Sequence, residues 1–171
     1  ADGDSDSASI DLSTGVFKIQ DDGPDAKVKP GQTPDTLTVD ESPLPNNGDG
    51  IASATSSFAD NFNSGAGFDY GTDGAGSVSY ALLLSANGTA SGLYALDAND
   101  KSANDGDGIG QGQQIVLNKV GNDILGQVGN VTYFTITVDG SGNVTFTQLK
   151  NVWHSDTGSD DDTSVLNAAT N

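Results

Sequence analysis

Cysteine and arginine are absent from this 171-residue chain, and histidine, tryptophan and glutamate occur once each, as His154, Trp153 and Glu41. Without cysteine there is no disulfide staple, no thiol nucleophile and no thiolate metal site. One histidine excludes zinc chemistry of the histidine type, which needs several nitrogen or sulfur ligands. The cations number 6 against 24 acids, a formal net charge of −18. That balance excludes a nucleic-acid binder, which carries a basic footprint. It also excludes docking on anionic lipid, which needs a polybasic stretch. No apolar run approaches the ~18 residues of a membrane span, so no membrane insertion is expected. The start of the sequence has no charged-then-apolar secretory leader, and the chain reads as a piece of something longer. Its length suits one domain: residues 1–171, with 1–8 a linker-like lead-in and 156–171 an acidic C-terminal segment.

What is present is aspartate. Of the 24 acids, 23 are Asp. A surface that needed only solubility would mix in glutamate, the better helix former. Aspartate favours turns and loop ends, where its short side chain bonds nearby backbone. Carboxylates held in loops beside Asn and backbone carbonyls are the hard oxygen donors that Ca²⁺ takes six to eight at a time. Several Ca²⁺ ions are therefore the expected cofactor; the alternative is an acidic, solvated surface of the halophile kind.

The 5 prolines lie within 21–50 and exclude a long helix there, while Thr36–Asp40 alternates like a short strand. Beyond residue 51 the pattern is β. Strands are predicted at 77–84 (Val78, Tyr80, Leu82 and Leu84 on one face), 92–97, 114–118, 123–128, 131–138 (Phe134, Ile136 and Val138 together) and 143–149 (Val144, Phe146 and Gln148 together). Residues 51–64 offer one short helix at most. Short strands every 8–12 residues, with Gly, Asn and Asp between them, predict an all-β fold, a β-sandwich with long acidic loops. No repeat of solenoid period occurs.

The densest oxygen-rich stretch is the predicted loop from Asp97 to Gly108, with Asn99, Asp100, Asn104, Asp105 and Asp107. Alternating ligands and small residues let such a loop curl around a hard cation. It is no EF-hand, because its twelfth position is Gly108 and not a bidentate Glu. It also lacks the Gly-rich nonapeptide of calcium β-rolls. A second cluster is Asp69 and Asp73, with Asp60, Asn61 and Asn63 upstream; an Asx-turn pair shaping the next strand explains it nearly as well. The third is Asp156, Asp160, Asp161 and Asp162, whose mutual repulsion a divalent cation would relieve, unless the run is simply solvated. Asp2, Asp4 and Asp6 form a fourth.

Enzyme chemistry finds little support. Glycoside cleavage needs a carboxylic acid with a raised pKa in an apolar cleft, and these carboxylates lie in Gly- and Ser-rich loops. A serine triad would depend on His154 alone, and no Gly-x-Ser-x-Gly elbow occurs. His154 reads as a packing or capping residue and Trp153 as core. Gly106–Gly110 has the wrong spacing for a phosphate loop and carries an acid that repels phosphate. No enzyme is expected.

Several stretches in order carry a resemblance: Gly88–Asp97, Gly106–Gly112, Ile115-Val116-Leu117, Tyr133–Val138, Val144–Gln148, Val152-Trp153-His154 and Asp160–Thr163. From about residue 36 to the end, the chain resembles a repeat-domain module of the giant bacterial RTX adhesins exported by type I secretion. The resemblance implies a calcium-stabilised β-sandwich in an extracellular, surface-tethered, biofilm-forming protein, monomeric and flanked by neighbouring domains of the same adhesin. It implies an export signal outside this stretch, and folding in extracellular calcium. Some such modules are purely structural, Ca²⁺-rigidified extenders. Others bind a peptide or carbohydrate on another cell, including domains that grip a peptide C-terminus through calcium. The long acidic loop and Gly106, Gly108, Gly110 and Gly112 favour the binder. The ligand is then expected at 97–111, on Asp105, Asp107, Gly108, Gly110 and Gln111, with Asp105 and Asp107 on the functional ion.

Overall fold

The computed structural model describes residues 6–9, 18–41, 52–62, 68–72, 74–97, 99–100, 110–155 and 163–167. Within them the chain is all-β. Six strands form one antiparallel sheet: β1 (Ser53–Ser57), β2 (Thr89–Leu96), β3 (Gln111–Val120), β4 (Asp123–Val128), β5 (Val131–Val138) and β6 (Asn143–Gln148). Their order is β1-β6-β5-β4-β3-β2. β2 to β6 are therefore a meander, and β1 closes on the far edge beside β6. The only described helix is a 3₁₀ turn at Ala59–Asn61, within the stretch that offered a short helix.

Alternation decides which face is apolar. Phe134, Ile124, Leu117, Ile115 and Leu93 are buried together with Val152, and Ile136, Phe146, Leu82, Leu84 and Leu166 pack against them. On the opposite face, Ser53 pairs with Thr147 and Thr55 with Thr145, their hydroxyls bonded at 3.0 and 2.8 Å. β1 was hidden in the sequence because Ser-Ala-Thr-Ser-Ser has no apolar beat; its strand character comes from β6.

Residues 77–84, expected as a strand, form no ladder. Their burial still alternates as predicted, Val78, Tyr80, Leu82 and Leu84 half-buried and the residues between them exposed. Leu82 and Leu84 lie on the sheet's core, and the Lys119 ammonium donates to the Leu82 carbonyl. A period of two here reports alternating burial, whether or not a strand pairs with the segment. Residues 36–41 behave alike: Leu37, Val39 and Glu41 are half-buried, while Thr36, Thr38 and Asp40 are exposed.

β2 carries an irregularity between Ala90 and Tyr94. Ser91 makes it possible. Fully buried, its hydroxyl donates to the Ile115 carbonyl at 2.6 Å and accepts from the Leu93 N–H at 3.1 Å. Both residues are buried beside the bulge, and an interior polar group without a partner costs several kcal/mol at worst.

Candidate functional site

The acidic loop joins β2 to β3 at one end of the sheet. Its two ends are tied together: the Asp97 N–H donates to the Gly110 carbonyl at 2.6 Å, and Leu96 pairs with Gln111 in the first rung of the ladder. Gly110 has φ +76°, the left-handed conformation that glycine adopts without penalty. At the other end the Asn99 N–H donates to Asp97 Oδ1 at 2.9 Å, an Asx turn that bends the chain as it leaves the strand. Asp97 and Asp100 are half-buried and Asn99 is exposed. Asn104, Asp105, Asp107 and Gly108 lie outside the described residues. Gly110 and Gln111 belong to the loop's closing bond and to β3, so their first task is to fix where the loop returns.

The second cluster resolves into separate turns. Asp69 sits opposite Asp25 in an isolated antiparallel bridge, and its Oδ1 accepts the Gly71 N–H at 3.0 Å. Lys27 lies 2.5 Å from Asp25; the hydrogen bond and charge of Asp25, with a smaller contribution from Asp69, raise the lysine's pKa. The chain thus supplies its own cation beside Asp69. Asp60, exposed on the 3₁₀ turn, accepts from the Gln32 amide at 3.2 Å. Asn61 is buried, and its Nδ2 has no hydrogen-bond partner among the described residues. Asp73, Asn63, Asp156, Asp160, Asp161, Asp162, Asp2 and Asp4 lie outside the described residues, and Asp6 is exposed. Among the described residues no three His, Asp or Glu side chains come together in a way that holds a metal. The oxygen donors of Asp97, Asn99 and Asp100 fit a hard cation chemically, as part of a loop whose remaining donors follow at 104–107.

One constellation escaped the sequence reading. Glu41 accepts from the Val152 N–H at 2.7 Å and from the Gln148 amide, and it faces His154 Nε2 at 3.6 Å. His154 Nδ1 lies 3.2 Å from the Ser164 hydroxyl. Trp153 is half-buried, its ring edge-on to Tyr94 with centroids 6.2 Å apart. The signal available was the residue type itself: a single glutamate among 23 aspartates marks a place where one more methylene of reach is needed.

Residues 36–171 match the family described as a domain of unknown function, DUF5801. The chain belongs to that family. The match leaves out the first 35 residues and takes in every strand of the sheet, the acidic β2–β3 loop and the carboxylate of Glu41. No curated protein and no solved structure matches the chain.

Proposed function

We propose that this DUF5801 domain is a Ca²⁺-dependent ligand-binding domain of a bacterial surface adhesin, gripping the C-terminal carboxylate of a peptide on a partner cell. The observation that supports the reading best is the β2–β3 loop. Its ends are pinned by the Asp97–Gly110 bond, and the sequence between them is rich in Asp and Asn. Asp97, Asn99, Asp100, Asn104, Asp105 and Asp107 would hold calcium there, several ions being expected over the whole chain. An anionic ligand is compatible with a net charge of −18 only where a bound cation inverts the local field. Sites of extracellular strength, ~10⁻⁴–10⁻³ M, make binding and folding depend on calcium outside the cell. The resemblance to type I-secreted adhesins supports that location and the absence of catalysis.

The test is capture of immobilised surface peptides and of a glycan array, each with calcium and with EDTA. Peptide capture in calcium alone supports the proposal, and amidating the peptide C-terminus should abolish it. Capture of glycans only would move the ligand to carbohydrate; capture of nothing would make the domain a Ca²⁺-rigidified extender. The paired substitution Asp105→Ala and Asp107→Ala should abolish capture while the sheet stays folded by circular dichroism; unchanged capture would refute the assignment of the site.

A further inference from the structure

Four pieces of chain converge on the Glu41 carboxylate. The arm 36–41 carries it, and the end of β6 reaches it through the Gln148 amide. Residues 152–155 reach it through the Val152 N–H and His154. Residues 163–167 reach it through Ser164, by way of the histidine. Glu41 and His154 are shielded from most water, their side chains 22% and 24% exposed. Charge-assisted hydrogen bonds in such surroundings are among the stronger ones. Gln148 is buried, so loss of the carboxylate strips an interior amide of an acceptor.

These segments have other attachments as well. Residues 152–155 and 163–167 meet the β2 edge through the Ala95–Val152 bridge, the Trp153 N–H to Tyr94 carbonyl bond (2.8 Å), the Trp153–Tyr94 ring contact and the Asn167 N–H to Ser91 carbonyl bond (2.8 Å), while Val152 and Leu166 pack on the core and the Ser164 hydroxyl lies 3.5 Å from the Trp153 carbonyl. Residues 36–41 form no ladder with the sheet. Segments held by few backbone bonds open below the free energy of global unfolding. What distinguishes these is a shared side chain: Glu41, carried by 36–41, bonds 152–155 directly and meets 163–167 through His154.

We propose that Glu41 is the pin of a latch: residues 36–41, 152–155 and 163–167 leave and rejoin the sheet as a single unit, separately from the β3–β5 centre. The inference is independent of calcium and of any ligand. Opening would uncover the backbone of β2 at Ser91, Tyr94 and Ala95.

Amide hydrogen exchange of the whole chain, read residue by residue by NMR, tests this with Glu41→Met, which keeps the length and removes the acceptor, and with Glu41→Gln, which keeps one acceptor and removes the charge. The Met variant should speed exchange at Val152, Trp153 and Asn167 together, by about tenfold or more, with the central amides of β4 and β5 unchanged. The Gln variant should speed the same three amides by less. Trp153 and Asn167 decide the matter, because neither bonds Glu41. Faster exchange at Val152 alone would reduce Glu41 to a local acceptor and overturn the latch. So would an equal rise in β4 and β5, or no rise in either variant.

Discussion

The tip of the Phe134 ring fills the space over a residue that has no side chain. Phe134 is 1% exposed, pairs across the sheet with Gly126 and meets the Phe146 ring edge-on, centroids 5.3 Å apart. A Cβ at position 126 would stand 2.2 Å from Phe134 Cζ. Gly126→Ala therefore forces the ring out of its well and should cost about 1–3 kcal/mol, the usual range for overpacking; urea denaturation measures it. Phe134→Leu in the same chain should recover part of that loss, and strict additivity would show that the two positions do not collide. Ser91→Ala should destabilise by about 1–3 kcal/mol, because it removes a hydrogen bond from each of two interior backbone groups, the Ile115 carbonyl and the Leu93 N–H. The inward direction of Phe134 was legible from the alternation with Ile136 and Val138. The hollow at Gly126 and the bridging role of Ser91 were not, since each depends on a neighbour brought in by another strand.

The β5–β6 connection is an element held by one carboxylate. Asp139 Oδ1 accepts from the Ser141 and Asn143 N–H groups at 2.8 and 2.9 Å, and Oδ2 accepts from the Asn143 amide at 2.8 Å. The Asn143 side-chain bond, followed by the backbone N–H bonds, lowers the Asp139 pKa from the ordinary carboxylate value. A carboxylate whose pKa is depressed by folding adds stability above its unfolded pKa and loses it as pH falls through the folded one. Asp139→Ala should therefore be less stable than the parent at neutral pH, and the gap should close as the solution is acidified below the carboxylate range. A gap independent of pH would mean that turn shape, and not charge, is what Asp139 contributes. Among the elements, β4 and β5 were legible to the residue and β6 to within one, because each alternates between Gly- or Asn-bearing turns. β1 was not, and 77–84, expected as a strand, keeps the alternating burial but forms no ladder. Of the acidic loops, Asp97 and Asp69 proved to hold Asx turns, which composition cannot distinguish from metal ligation, since both use the same short carboxylate next to backbone.

At the scale of the molecule, the chain carries 24 acids against 6 lysines. Like charges at this density oppose compaction, and salt relieves them over a Debye length of ~10 Å at 0.1 M. Any cation therefore stabilises the chain somewhat, and a bound one must do more than screen. Metal that binds only the folded state adds RT ln(1 + [L]/Kd), about 2.7 kcal/mol per site at a hundredfold excess. In a chain of this size 1 kcal/mol corresponds to about 2–4 °C, so each occupied site should raise Tm by roughly 5–11 °C. The most direct measurement is the melting curve in calcium, in magnesium and in chelator, all at one ionic strength set with sodium chloride. The account predicts a rise of that size per site in calcium, a smaller one in magnesium, which resists dehydration and demands a tighter octahedral shell, and none in chelator. Superimposable curves in all three would contradict it and leave the aspartates as a charged coat.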